Sequence, residues 1–307
     1  MATKTPKTSQ KTTKSKATKS KAAAKTVKPV VAAPKTKTVE KKPTENKSCF
    51  KGFFAKKYEE NESILTIFKK PKFYGALLGE VFGTMLLTMV IFAVMPFQGG
   101  AFNVTQYILP ITAILIAVYA FSGACLNPLI TVGMMATRRM SVIRGVMYII
   151  AEVLGAWFGW LIFNAFHLAG GETAMDMSAL SAIGENQFWL FAMVELLGAI
   201  IIGFFFTRAL AYKRSAFTFA IVVAGGIAAT MLIGYVASAA FLGLNNNFIL
   251  NPAIAMMLQI FPTAGENFGE ILGGICQALS VYALLPMIGG VIGFYLSDFT
   301  ARLSGEN

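Results

Sequence analysis

The sequence predicts an all-α membrane protein with six transmembrane helices and two re-entrant half-helices in an inverted repeat, preceded by a disordered Lys-rich N-terminal tail. The 307-residue chain is strongly apolar, because 55% of its residues are hydrophobic and only 14% are charged, against about 25% charged in an ordinary soluble domain. Six stretches reach the roughly 20 apolar residues that cross a bilayer. Two shorter apolar runs each begin with an Asn-Pro pair.

The basic tail and juxtamembrane segment, residues 1–72, contain 20 of the 27 Lys and Arg residues. Residues 1 to about 48 include no aromatic residue, so they bury too little apolar surface to offset the entropy of ordering and are predicted to be disordered. Their charge favours a solvated arm that reinforces membrane orientation, or contact with anionic lipid headgroups. Nucleic-acid binding uses the same charge, but the tail offers no aromatic side chains for stacking, which disfavours it.

The apolar pattern places the transmembrane helices and the half-helices. Six spans are predicted at roughly 73–95, 106–124, 142–167, 188–211, 216–240 and 281–299. The runs that begin at Asn127 and Asn251 extend about ten residues, which is too short to cross a bilayer. Each run starts as a helix should, because Asn caps free backbone N–H groups and Pro is favoured at the first helical position. Residues 262–280 receive no assignment.

The positions of the basic residues predict the orientation. With a cytoplasmic N-terminus, the loops after the second and fourth helices and the C-terminus should carry Lys and Arg. The sequence places there Arg138, Arg139, Arg144, Arg208, Lys213, Arg214 and Arg302. The opposite loops contain no Lys or Arg. We therefore expect a multi-pass protein of the cell membrane with cytoplasmic N- and C-termini.

The two halves of the predicted membrane domain 73–301, about 73–168 and 188–301, repeat one plan. Gly79-Glu80-Val81-Phe82-Gly83 in the first helix is echoed by Val194-Glu195-Leu196-Leu197-Gly198 in the fourth. Three crossings in each half give the halves opposite orientations in the membrane. Two half-helices that enter from opposite faces then bring their N-termini together near the midplane, where their dipoles disfavour cations and protons.

Two segments resemble the signature motifs of the aquaporin, or major intrinsic protein, family: Ser122-Gly123-Ala124-Cys125-Leu126-Asn127-Pro128-Leu129-Ile130-Thr131 and Asn251-Pro252-Ala253. The resemblance covers about residues 73–301. It implies a passive channel for water and small uncharged solutes such as glycerol, assembled as a homotetramer. It also implies two pore motifs, in which the side-chain amides of Asn127 and Asn251 face the pore: Asn127, Pro128, Leu129 and Asn251, Pro252, Ala253. Glu80 and Glu195 would accept backbone N–H bonds from the re-entrant loops.

The resemblance also implies a selectivity filter at Tyr107, Ala239, Phe248 and Ile254. Ile254 stands where the family normally has Arg, so this atypical filter lacks a positive charge and the donors that come with it. The lining is more similar to that of an aquaglyceroporin than to a water-only channel, which predicts relaxed selectivity for small neutral solutes. Cys125 replaces a frequent His and is a pore-lining candidate, and Glu152 replaces a frequent Gln.

Other functions remain open from the sequence alone. Inverted repeats and broken helices also serve secondary transporters, so a secondary transporter of a small solute is the main alternative, followed by a membrane scaffold that anchors the basic tail. An enzyme is not expected, because no Ser/His/Asp set, metal-ligand cluster or phosphate-binding glycine loop is recognisable. The single histidine, His167, stands alone. No cofactor and no metal are predicted.

Overall fold

The structure, a computed structural model, describes residues 67–94, 104–171, 188–211, 215–236, 249–258 and 268–305. The predictions for the tail and for Ala239 and Phe248 lie outside these residues. The described residues all belong to one compact unit, Lys47–Asn307. Its α-helices are α1 (Pro71–Val94), α2 (Val104–Ser122), α3 (Pro128–Ala136), α4 (Val142–Ala169), α5 (Phe188–Ala211), α6 (Ala216–Val236), α7 (Pro252–Leu258), α8 (Phe268–Leu279) and α9 (Leu285–Leu303).

Six helical segments within the described residues are long and apolar enough to cross a membrane. They are α1, α2, α4, α5, α6 and the continuous segment Phe268–Leu303. Large apolar side chains are exposed on their outer faces, for example Leu78, Leu109 and Trp189. Such faces are unfavourable in water and suit a lipid environment. The predicted fold class, a six-helix membrane protein with two half-helices, is confirmed.

The sixth transmembrane segment begins earlier than predicted. The prediction placed it at 281–299, whereas α8 begins at Phe268 and continues through a π-helical turn, Ser280–Leu284, into α9. Residues 262–280 received no assignment from the sequence, and the glycines within α8 do not prevent a helix, because each destabilises it by only about 1 kcal/mol. Ile275 and Ala278 of α8 pack against the core of the bundle and help to hold the helical conformation.

The two halves pack in the same way and then interlock. In the first half α1 packs against α2 and α4, and in the second half α5 packs against α6 and α9. Each half-helix packs against the last long helix of the opposite half, α3 against α9 and α7 against α4. This exchange places both half-helices inside one bundle, as an inverted repeat requires.

Glycines spaced four residues apart bring the first and last long helices of each half together. A Cβ atom added at Gly159 of α4 would lie 2.5 Å from the carbonyl oxygen of Met85 in α1. In the second half, a Cβ atom at Gly289 of α9 would lie 2.6 Å from the carbonyl oxygen of Leu196 in α5. Small residues at this spacing allow helix backbones to approach closely. The contacts therefore fix α1 and α5, the helices that carry Glu80 and Glu195.

Candidate functional site

Each Asn-Pro pair begins a half-helix. The backbone of Asn127 is extended, with φ −161° and ψ 120°, and its Oδ1 atom accepts a hydrogen bond from the backbone N–H of Leu129 at 3.1 Å. The Oδ1 atom of Asn251 accepts from the backbone N–H of Ala253, also at 3.1 Å. A cap of this kind stabilises a helix by about 1 kcal/mol. Both half-helices therefore start where their asparagines lie.

The two asparagines also connect the halves to one another. The amide Nδ2 of Asn127 donates to the carbonyl oxygen of Leu250 at 2.8 Å. The amide Nδ2 of Asn251 donates to the carbonyl oxygen of Leu126 at 2.9 Å. Each bond joins one half-helix cap to the residue before the opposite cap, so the two N-termini meet inside the bundle. A side-chain amide has two N–H groups, and each crossed bond uses one of them.

The loop before the first half-helix is held by the buried carboxylate of Glu80 in α1. Its Oε1 accepts from the backbone N–H of Cys125 at 3.1 Å, and its Oε2 accepts from the backbone N–H of Leu126 at 2.6 Å. Glu80 is 0% exposed. Bonds to a charged acceptor are stronger than neutral ones, so the carboxylate fixes the approach to Asn127.

Glu195 in α5 holds the second loop in the same way. Its Oε1 accepts from the backbone N–H of Ile249 at 2.6 Å, and its Oε2 accepts from the backbone N–H of Leu250 at 3.1 Å. Glu195 is also 0% exposed. In both halves, the two residues immediately before the asparagine therefore share one carboxylate.

The leucine before each asparagine adopts a left-handed backbone conformation. The φ angle is +52° at Leu126 and +56° at Leu250, which is unfavourable by about 1–2 kcal/mol for a residue with a side chain. A switch from a right-handed to a left-handed backbone conformation turns successive N–H groups toward one anion. The carboxylates of Glu80 and Glu195 provide that anion. The hydrogen bonds thus compensate for the strained conformation.

A glycine three residues after each glutamate leaves room for that leucine. A Cβ atom at Gly83 would lie 2.5 Å from Cδ2 of Leu126, and a Cβ atom at Gly198 would lie 2.5 Å from Cδ2 of Leu250. The Glu-x-x-Gly pattern of α1 and α5 therefore has a spatial meaning. The glutamate binds the loop backbone, and the glycine one turn later receives the loop side chain.

A third buried carboxylate, that of Glu152 in α4, makes a hydrogen bond to the first half-helix. The hydroxyl of Thr131 donates to Oε1 of Glu152 at 2.6 Å, and both side chains are 0% exposed. Among the described residues, the Oε2 atom of Glu152 has no hydrogen-bond partner. The contact ties the first turn of α3 to the last long helix of its own half.

An ion pair ties the region after α3 to α9. The guanidinium of Arg139 contacts both carboxylate oxygens of Asp298, with N–O distances of 3.1 and 2.6 Å. The same guanidinium lies 5.8 Å from the ring centre of Phe294. A Cβ atom at Gly133 of α3 would lie 2.5 Å from that ring. Phe294 therefore packs between the half-helix and the ion pair.

A cavity opens beside Asn127, between the two halves. Its walls include Cys125, Leu126, Asn127 and Ile130 from the first re-entrant segment. Long helices of the first half add Leu87, Ile111, Ile114 and Leu115, and those of the second half add Ile202, Phe206, Val223 and Ile227. The cavity offers about 30 Å³ to molecules of the size of water, which is room for one or two of them.

The structure brings the two Asn-Pro motifs and their supporting glutamates together, and it describes two of the four predicted filter residues. Tyr107 and Ile254 are buried, with exposed fractions of 2% and 0%. Their two predicted filter partners, Ala239 and Phe248, are not among the described residues. Within the described residues, no group of three or more His, Cys, Asp or Glu side chains is placed to hold a metal ion.

Three kinds of contact could not be predicted from the sequence. The crossed asparagine bonds join residues that are far apart in the chain, and so does the Arg139–Asp298 pair. Arg139 was interpreted only as a charge that sets orientation. For Glu152, the sequence signal was a carboxylate at a position where the family often has Gln, but nothing in the sequence identified Thr131 as its partner.

The chain matches known proteins over most of its described length. The family model described as Major intrinsic protein matches residues 67–296. The Aquaporin AqpM of Methanothermobacter marburgensis is 25% identical over 185 residues, which are 59% of this chain and 70% of that protein. The Probable aquaporin PIP2-5 of Arabidopsis thaliana is 30% identical over 167 residues, which are 48% of this chain and 57% of that protein.

A solved structure shows the same fold. The X-ray structure of the aquaglyceroporin from Plasmodium falciparum superposes with a TM-score of 0.52 and 16% sequence identity, over 75% of this chain and 95% of that one. At this level of identity, the likeness concerns the fold alone.

Proposed function

Because this chain belongs to the major intrinsic protein family, whose members are channels, we propose that it is a passive channel for water and small uncharged solutes such as glycerol. The observation that supports this most directly is the pair of crossed bonds from Asn127 to Leu250 and from Asn251 to Leu126. They hold two half-helix N-termini face to face, beside a cavity that both halves line.

The same geometry supports exclusion of protons and cations. A helix N-terminus carries the equivalent of about half a positive charge, and here two of them point toward one place. The caps at Asn127 and Asn251 leave one amide N–H each for a passing hydroxyl or water. A neutral molecule with an acceptor oxygen suits this arrangement, whereas a cation is repelled by it.

Tyr107, Ala239, Phe248 and Ile254 are the proposed selectivity filter. Ile254 supplies neither charge nor donor where the family normally has Arg, which favours relaxed selectivity. The test is Ile254→Arg in proteoliposomes under an osmotic step. We expect lower solute permeability relative to water, and unchanged solute permeability would refute a selectivity role for this position.

Passive flux is what distinguishes this proposal from a secondary transporter. Purified full-length protein in proteoliposomes should give water and glycerol fluxes that stay linear with the gradient and ignore ion gradients. Asn251→Ala should lower both fluxes, while Val236→Ala, a change on the exposed surface of α6, should leave them unchanged. Saturating flux that depends on an ion gradient would instead support a transporter. Normal membrane insertion without any flux would support a scaffold.

Three further properties complete the proposal: a homotetrameric assembly, cytoplasmic termini in the cell membrane, and contact of the Lys-rich tail with anionic lipids. Native mass spectrometry in detergent tests the tetramer, and accessibility of the N-terminus to an impermeant label in intact cells tests the orientation. A tail peptide that ignores anionic vesicles at low salt would remove the lipid contact.

A further inference from the structure

The cavity beside Asn127 is lined almost entirely by hydrocarbon. Ten of its twelve wall residues are Leu, Ile, Val or Phe, and the other two are Cys125 and Asn127. The hydrocarbon comes from both halves, since Ile111 and Ile114 of α2 line it together with Ile202 and Phe206 of α5. A molecule that passes the crossed asparagines on this side therefore enters a pocket with apolar surfaces on several sides.

Few polar groups in this cavity can replace the water around a solute. The amide of Asn127 has one N–H engaged by Leu250, and a thiol such as that of Cys125 is a weak donor and acceptor. The carbonyl of Leu126 already accepts from Asn251. A solute with several hydrogen-bonding groups would leave some of them unpaired, which is unfavourable in an apolar site.

We propose that this channel selects small neutral solutes that carry one polar end on an apolar body, and that Val223 and Ile202 in the cavity wall determine this preference. The inference rests on the proposed channel function and names its solute class. The polar end binds at the Asn127 amide, and the apolar body contacts the hydrocarbon wall. A solute of the same size with polar groups at both ends passes more slowly.

Two nearly isosteric pairs of solutes test the proposal. Acetamide differs from urea by a methyl group in place of an amino group, and 1,2-propanediol differs from glycerol by one hydroxyl. Full-length protein in proteoliposomes is measured by stopped-flow light scattering, and the permeability of protein-free vesicles is subtracted for each solute. We expect the protein-dependent permeability to favour the less polar member of each pair by about fivefold or more, since one unpaired polar group is worth at least about that factor.

Val223→Thr adds a hydroxyl to the cavity wall with almost no change of shape. It should reduce severalfold both permeability ratios, acetamide to urea and 1,2-propanediol to glycerol. The matched control is Val146→Thr, the same change on the exposed surface of α4, which should leave them unchanged. Equal permeabilities within both pairs for the native protein, or identical ratios in Val223→Thr and native protein, would overturn the inference while leaving the channel function intact. Absence of protein-dependent flux for water and all four solutes would overturn the channel function itself.

Discussion

The two halves of the molecule hold their half-helices with the same four kinds of residue. A buried glutamate binds the loop, a glycine three residues later receives the loop leucine, that leucine has a positive φ, and the asparagine after it caps the half-helix and bonds across to the other half. These features occur at matching places although the halves face opposite ways. The comparison indicates that they position the point where the two half-helices meet.

The halves differ in what holds the rest of each half-helix. Thr131 of α3 bonds to Glu152, whereas the fourth residue after Asn251 is Ala255, which has no hydroxyl. Glu152 precedes Gly155 by three residues, and Pro286 precedes Gly289 by three, so a proline replaces the carboxylate in the second half. The π-helical turn before Pro286 packs against α7 instead. Both half-helices are held by packing, and the first has in addition a buried polar contact, to Glu152, that the apolar side chains of α7 cannot make.

The largest effect is expected from removing a loop carboxylate. Glu80→Leu and Glu195→Leu each leave two buried backbone N–H groups unpaired, so each should lower the free energy of unfolding by about 2–5 kcal/mol and abolish water permeability. Glu80→Gln and Glu195→Gln keep one acceptor oxygen and should be milder. Thermal unfolding in detergent and stopped-flow permeability measure both effects. A severe loss in one half and none in the other would break the proposed equivalence.

The next largest effect is expected at the glycine contacts between long helices. A Cβ atom at Gly155 would overlap the carbonyl of Val81, and one at Gly289 would lie 2.6 Å from the carbonyl of Leu196. Because a backbone carbonyl cannot move aside, Gly→Ala at either position should destabilise the protein by about 1–3 kcal/mol.

The matched controls for these glycine changes are Gly75→Ala in α1 and Gly225→Ala in α6, where no atom of a described residue lies within 4 Å of the added Cβ. Alanine favours a helix more than glycine by about 1 kcal/mol, so the controls should be neutral or more stable. Equal melting temperatures for test and control variants would contradict the close helix contact.

A smaller, one-sided effect is expected for Thr131→Val. The change removes the hydroxyl that donates to Glu152 and leaves the buried carboxyl group without this hydrogen bond. The free energy of unfolding should therefore fall by about 1–2 kcal/mol. The control is Thr88→Val, since within the described part of the chain the hydroxyl of Thr88 bonds to the carbonyl of Thr84 in its own helix. If both variants lose the same stability in thermal unfolding, the Thr131–Glu152 bond has no special role in α3.

The smallest effect is expected for the partly exposed ion pair. Arg139→Ala and Asp298→Ala should each lower stability by about 0.5–1 kcal/mol, and the double variant should lose less than the two single losses combined. A double-mutant cycle measures this coupling. If the stability loss of the double variant equals the sum of the two single losses, the Arg139–Asp298 pair contributes no interaction energy.

Most of the fold followed from the sequence, because bilayer thickness fixes the length of an apolar span and Asn-Pro fixes a helix start. The sixth segment was predicted too short, since residues 262–280 received no assignment and the side chains that stabilise α8 act through tertiary packing. Glu80 and Glu195 were recognisable from the repeat, whereas the Arg139–Asp298 pair depends on how α9 crosses α3. No local pattern encodes such a crossing.

The central claim is that two oppositely inserted half-helices meet through their asparagines. An experimental density map of the full-length protein in lipid nanodiscs measures this directly, through the distances from Asn127 Nδ2 to the Leu250 oxygen and from Asn251 Nδ2 to the Leu126 oxygen. The account predicts hydrogen bonds near the 2.8 and 2.9 Å found here. Asparagines that lie far apart, or on one face of the membrane, would contradict it.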